Sequence, residues 1–129
     1  MLVDSHAHLD FAGFEEDRDE VIRRCADKNV TVINVGTQTP TNKLCVAMAQ
    51  AHDHLYASVG LHPIHVFDED FDSGFFETLI TENDKVVAVG ETGFDYFYIK
   101  DKEKSFAEIK AKQAAVFRQH ITLAQKHTL

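Results

Sequence analysis

Met1-Leu-Val-Asp-Ser-His-Ala-His-Leu-Asp10 decides the reading of this chain. Leu2-Val3 reads as a short buried strand that runs straight into His6-x-His8. In an extended segment, residues two apart point to the same side, so the two imidazoles can converge on one metal ion. A strand that ends in paired ligands is what a (β/α) barrel enzyme needs at the carboxyl end of its first strand. The plainer reading is a solvated loop that holds two histidines. Asp4 and Asp10 flank the pair and two further signals lie downstream, so the metal reading is the stronger one.

The chain has 129 residues, a length that suits one domain over 1–129. Hydrophobic residues make up 44%, enough for a real core. No apolar run approaches the roughly 18 residues of a membrane span, and no basic segment leads into a long apolar stretch as in a signal peptide. Cys25 and Cys45 fall inside helical patterns and read as free thiols of a reducing compartment, which implies the cytoplasm. The net charge of -8 argues against a simple electrostatic nucleic-acid binder. It leaves room for an enzyme that meets phosphate through divalent metal.

Downstream, strands and helices alternate. Asp17 and Glu20 are spaced as a cap and its reciprocal partner for a helix with Val21, Ile22, Cys25 and Ala26 on its apolar stripe. Asn29 is a stop. Val30 to Val35 is β-branched and reads as the second strand, closed by Gly36. Thr39-Pro40 starts a helix, with Thr39 as cap and Leu44, Ala47, Met48 and Ala51 facing in. Leu55 to Val59 is the third strand. A helix over about Phe71 to Ile80 turns Phe71, Phe75 and Leu79 inward. Val86 to Val89 is the fourth strand. The last helix runs from about Lys102 to Lys126, burying Ala114, Phe117, Ile121 and Ala124. This order predicts a parallel sheet with crossover helices. The polar signals all lie just after strands, on the ligand edge of such folds: His6 and His8, then His62 and His65, then Glu91 and Asp95.

Glu91 follows a buried strand and a Gly, which places it at the mouth of the fold. A carboxylate there can bridge two divalent ions about 3.5–4 Å apart; a helix-cap or ion-pair role is the plainer reading. His62 and His65 flank Pro63 and are read as contacts to substrate phosphate or as proton shuttles, or else as exposed turn residues. Asp4 and Asp95 are read as outer supports for the ligands. His52, His54, His120 and His127 are read as surface or packing residues, and Asp68-Glu69-Asp70 as a solvated approach to a helix.

Asp4-Ser-His-Ala-His-Leu-Asp10, Gly60-Leu-His-Pro63 and Gly90-Glu-Thr-Gly-Phe-Asp-Tyr96 resemble the N-terminal signatures of the TatD family of metal-dependent hydrolases. Gln113-Ala-Ala-Val-Phe-Arg-Gln-His-Ile-Thr-Leu-Ala124 is similar to the family's helix after the fourth strand. The resemblance covers essentially the whole chain. It implies a TIM (β/α)8 barrel of which these are the first four βα units, with divalent-metal-dependent deoxyribonuclease activity. Carried onto these positions, it implies His6, His8 and Glu91 as ligands of one or two ions, Mg²⁺ foremost and Zn²⁺ or Mn²⁺ as alternatives, with Glu91 also catalytic. Phe94 stands where the family usually has Leu, and Ile64 where many members have His. A complete barrel needs about 250 residues, and this chain stops where a fifth strand is due. The family's later histidines and its aspartate after strand eight have no counterpart here.

The expectation is therefore the N-terminal half of a DNA phosphodiesterase that works by metal-activated water, with DNA as substrate. Self-association or complementation by a C-terminal half would cover the open sheet. The alternatives are a half barrel without turnover and a parent hydrolase of amides or lactones.

Overall fold

The computed structural model describes residues 2–98 and 104–129. Four strands, β1 (Leu2–Ala7), β2 (Val30–Val35), β3 (Leu55–Val59) and β4 (Val86–Val89), alternate with four α-helices: α1 (Arg18–Asp27), α2 (Thr39–Ala51), α3 (Ser73–Thr81) and α4 (Phe106–His127). The sheet order is β1-β2-β3-β4, and every pair is parallel. This is the expected α/β architecture of the first four βα units of a TIM barrel. Short 3-10 turns cover Ala12–Phe14 and Pro63–His65.

The β-branched runs become the strands at the expected residues for β2, β3 and β4. β3 is the centre of the molecule: Leu55, Ala57 and Val59 are all 0% exposed. One core cluster joins β3, β4, α2, α3 and α4 through Cys45, Val46, Val59, Phe76, Val116 and Leu123. A second joins β2, β3, α1 and α2 through Leu9, Ile22, Val32, Met48 and Leu55. Each large apolar side chain buried this way contributes about 1.5–3 kcal/mol.

β1 departs from expectation. It runs on to Ala7, and Leu2 and Val3 are 68% and 53% exposed. Among the described residues β1 pairs on one edge only, with β2, so its apolar start has little to pack against. Among the described residues, no helix is long and apolar enough to cross a membrane.

The helices form where expected, and their inward faces keep much of each expected stripe while adding residues the apolar pattern does not mark. Asp17 does not cap α1 through its side chain; its backbone N–H is committed to Phe14 O in the preceding turn. Of that helix's expected stripe Ile22 is buried, while Ala26 is exposed. Asn29 does stop it, at φ 54°. The cap of α2 is Gln38 rather than Thr39, with the Thr41 hydroxyl accepting from the Thr37 and Gln38 N–H groups. Its buried face is Asn42, Cys45, Val46, Met48 and Ala49, leaving Ala47 and Ala51 exposed. Asn42 is drawn inward by bonds to Gly60, and the helix turns with it.

α3 begins after Asp72, whose carboxylate accepts from Phe75 N, so Phe71 precedes the helix. Phe76 is its fully buried ring, and Phe71, Phe75 and Leu79 pack against the same core as expected. For α4, the expected start at Lys102 lies outside the described residues; Ser105 and Glu108 form a capping box there. Its buried face is Ile109, Gln113, Val116, His120 and Leu123, and Ile121 is 42% exposed. The acidic run is not merely solvated. Asp68 pairs with His65, Glu69 accepts from Thr39 N, and Asp70 meets Lys112.

Candidate metal centre

His6 ends β1 one residue before its last, and His8 lies just beyond it. The pleat turns both rings to one side, and their Nε2 atoms lie 3.2 Å apart. His8 Nδ1 lies 2.9 Å from Val35 O. A carbonyl can only accept, so Nδ1 carries the proton and the Nε2 lone pair faces the site. The following residue is fixed by Leu9 N donating to Asn34 Oδ1 at 2.7 Å and Arg18 Nε donating to Leu9 O at 2.6 Å. Phe11 stacks on the His8 ring with centroids 4.4 Å apart.

Glu91 is placed by backbone. Gly90 N donates to Val59 O at 2.9 Å and Glu91 N to Gly36 O at 3.2 Å, while Ser58 Oγ donates to Gly90 O at 3.1 Å. The Gly90–Glu91 peptide is cis. Gly60 lets this backbone approach: a Cβ there would fall 2.7 Å from Gly90 C and 2.9 Å from Glu91 O. Glu91 Oε2 then lies 3.6 Å from His6 Nε2 and 3.5 Å from His8 Nε2.

His6, His8 and Glu91 thus bring two imidazole nitrogens and a carboxylate oxygen within 4.8 Å of one another. Ligand atoms bonded to one ion at about 2.0–2.2 Å, at octahedral to tetrahedral angles, stand about 2.8–3.6 Å apart. The observed separations of 3.2, 3.5 and 3.6 Å fall in that range. The donor set and its spacing fit a divalent cation with coordination positions left open.

The second carboxylate oxygen faces another histidine. His62 Nδ1 accepts from Ile64 N at 3.1 Å, which leaves the ring proton on Nε2, 3.3 Å from Glu91 Oε1. Burial lowers the pKa of His62, against the opposing pull of the Glu91 and Asp95 carboxylates. His65 lines the same cleft, of about 640 Å³, along with His8, Asp10, His62, Glu91 and Asp95; its Nδ1 lies 2.7 Å from Asp68 Oδ2. Asp4 Oδ1 accepts from His6 N at 3.1 Å, so Asp4 supports His6 through the backbone. Asp95 Oδ1 accepts from Phe97 N and Tyr98 N and so orders its own loop. His52 and His54 lie at the opposite end of β3, and His127 at the end of α4.

The family model described as TatD related DNase matches residues 3–129. The chain belongs to the TatD family. It is 35% identical over 130 residues to the uncharacterized metal-dependent hydrolase YabD of Bacillus subtilis, covering 100% of this chain and 48% of that protein. It is 33% identical to the metal-dependent hydrolase YcfH of Escherichia coli, covering 98% and 46%. It is 25% identical to the protein named 3'-5' ssDNA/RNA exonuclease TatD of Erwinia tasmaniensis, covering 99% and 48%. The crystal structure of YJJV, a TatD homologue from Escherichia coli, superposes with a TM-score of 0.80 at 27% identity, over 99% of this chain and 48% of that one. The chain spans about half the length of the curated relatives it matches.

Beneath the ligand edge of this TatD chain lies a layer of buried polar side chains that the apolar periodicities overlook. Asn34 and Asn42 are 0% exposed, Gln113 2% and His120 1%. Asn34 holds Leu9 and donates to Cys45 Sγ. Asn42 brackets Gly60, donating to its O at 2.7 Å and accepting from its N at 2.9 Å. One signal is in the sequence: Asn34 interrupts an otherwise β-branched strand, and a buried polar residue there requires a partner. Asp10 is the exception in this layer. Both its carboxylate oxygens are buried without a hydrogen-bond partner; the Cys45 thiol interacts with it, and His8 Nδ1 lies 3.9 Å from its Oδ1. Burial raises the Asp10 pKa and pushes the Cys45 thiol up as well.

Proposed function

We propose that this chain carries the His6–His8–Glu91 part of a divalent-metal-dependent hydrolase site that cleaves nucleic-acid phosphodiester bonds. The observation that supports it is the convergence of two imidazole nitrogens and a carboxylate oxygen at the carboxyl edge of a parallel sheet. The name of the Erwinia relative supports a nucleic-acid substrate. A chain of net charge -8 needs cationic help to hold a phosphate. A divalent cation bound there would supply Lewis acidity, polarising a phosphoryl oxygen and making water a better nucleophile near neutral pH.

The protein's own groups have distinct tasks in this reading. His8 is held in one tautomer by Val35 O and presents Nε2. Glu91 faces the histidine pair with Oε2 and His62 with Oε1. His62 and His65 line the cleft where a substrate phosphate would rest. The expected ion is Mg²⁺. Two imidazoles also admit Mn²⁺ or Zn²⁺, which take nitrogen ligands more readily. The free thiols of Cys25 and Cys45 support a reducing compartment such as the cytoplasm.

Among the described residues β1 and β4 each have one sheet neighbour, and Leu2, Val3 and Val87 are exposed. We propose that a second copy, or a C-terminal half of further βα units, covers these edges. A sedimentation run giving a folded monomer at micromolar concentration would count against self-association.

The deciding assay is hydrolysis of single-stranded DNA with added Mg²⁺, Mn²⁺ or Zn²⁺, run beside Glu91→Gln. Turnover that the variant loses supports the proposal. Equal turnover in both, or none in either, would sink it for this chain and favour a half barrel without turnover.

A further inference from the structure

We infer that Gln113 and His120 are positioning residues that lock His62 against Glu91. They lie seven residues apart on the buried face of α4, and the kinetic consequence rests on the proposed hydrolase reading. The remainder of that face is Ile109, Val116 and Leu123, which pack as apolar side chains do. A buried amide and a buried imidazole cost stability unless each polar atom is satisfied. Here both are satisfied, and most of their bonds go to the two loops that carry His62 and Glu91.

Gln113 Nε2 donates to Pro63 O at 3.1 Å and to Asp95 O at 2.8 Å. Gln113 Oε1 accepts from Asp95 N at 3.2 Å. One amide therefore ties the loop after β3 to the loop after β4. His120 Nδ1 lies 2.9 Å from Val116 O, and His120 Nε2 accepts from Leu61 N at 2.9 Å. With a carbonyl on one side and an N–H on the other, the ring is held neutral with its proton on Nδ1.

The two bonds from α4 straddle His62: Leu61 N on one side, Pro63 O on the other. His62 N itself donates to Thr37 O at 2.9 Å. Three consecutive residues are thus pinned, two of them by α4. The imidazole has its Nδ1 occupied by Ile64 N, and its Nε2 proton is left for Glu91 Oε1. Loss of either α4 residue would release this backbone and let the contact wander. A 1 Å misplacement of that kind costs about a hundredfold in rate.

The test reads His62 directly, by long-range proton–nitrogen correlation NMR of the imidazoles in the full chain. Wild type should show one fixed tautomer with the proton on Nε2. Gln113→Met keeps side-chain length and removes all three bonds; it should collapse that pattern to an averaged one. Val116→Ala loosens the same face, where Val116 shares the apolar core with Leu61, but removes no hydrogen bond to either loop and should preserve it. His120→Leu should behave as Gln113→Met does, while His120→Gln, which keeps an acceptor for Leu61 N, should restore the pattern. The His120 pair decides the matter if Gln113→Met fails to fold. In the nuclease assay, kcat should fall about ten- to a hundredfold with KM within about twofold.

A wild-type pattern in both Gln113→Met and His120→Leu would overturn the inference. So would an equal collapse in Val116→Ala, which would make the effect one of stability alone. Unchanged kcat in a variant whose pattern has collapsed would refute the role in the reaction. Absence of turnover in the parent chain would refute the hydrolase reading, and the His62 pattern would still judge this one.

Discussion

His62 Nε2 lies 3.3 Å from Glu91 Oε1, on the opposite side of the carboxylate from His6 and His8. Glu91 is therefore held between a histidine that can orient it and two that can share a cation with it. The two kinds of neighbour predict different losses. Glu91→Gln removes the charged donor and should weaken Mn²⁺ or Zn²⁺ binding by more than about a hundredfold. His62→Ala removes only the support and should weaken it by about tenfold, the usual cost of an outer-shell partner. Calorimetric titration of the two variants measures this, and equal losses would show that His62 is itself a ligand.

Gly60 should not tolerate a side chain. A Cβ there would meet Gly90 C and Glu91 O, both of them backbone and unable to swing away. Gly60→Ala should cost about 1–3 kcal/mol as an overpacking substitution, read as a lower urea midpoint. Metal affinity should fall with it, because the displaced backbone carries Glu91.

His120 should make stability depend on pH. Burial lowers its pKa below the ordinary 6.5, while the unfolded chain takes up a proton near 6.5. Above that value the ring is neutral in both states. As pH falls below about 6.5, the unfolded state binds the proton first, so stability is lost until the folded-state pKa is also passed. Rings packed against it include Phe71 and Phe76. His120→Gln should flatten this part of the profile, as urea midpoints between pH 7.5 and 5 would reveal.

Asp10 should show the opposite sign. Its carboxylate is buried without a hydrogen bond, and burial raises its pKa above 3.8. Between the unfolded value and the raised folded value, the folded state holds the extra proton. Stability from this group is present at low pH and lost as pH rises through the folded pKa. Asp10→Asn should therefore stabilise the metal-free chain at pH 7, on the order of 1 kcal/mol. A lower thermal midpoint for the variant would show that the carboxylate makes a favourable interaction there.

The strands and their order were legible in the chain. Val30–Val35, Leu55–Val59 and Val86–Val89 are runs whose β-branched and apolar residues are suited to a buried parallel strand wherever they sit, and the structure places strands there. That the His6–His8 pair and Glu91 share one edge was legible for the same reason. Spacing of two in an extended segment is local geometry, and a polar residue just past an apolar strand marks the ligand edge of such a sheet.

What the helices bury was decided by tertiary structure. Counting apolar residues on α4 points to Phe117 and Ile121, yet the face that turns inward carries Gln113 and His120, because their partners are Pro63, Asp95 and Leu61. Those partners lie 18 to 59 residues away in sequence, beyond the reach of any periodicity. Asn42 turns α2 toward Gly60 in the same way. A period of 3.6 measures where apolar side chains recur. It carries no information on which buried carbonyl or N–H in a distant loop lacks a partner, and that need is what set these faces and brought His62 to Glu91.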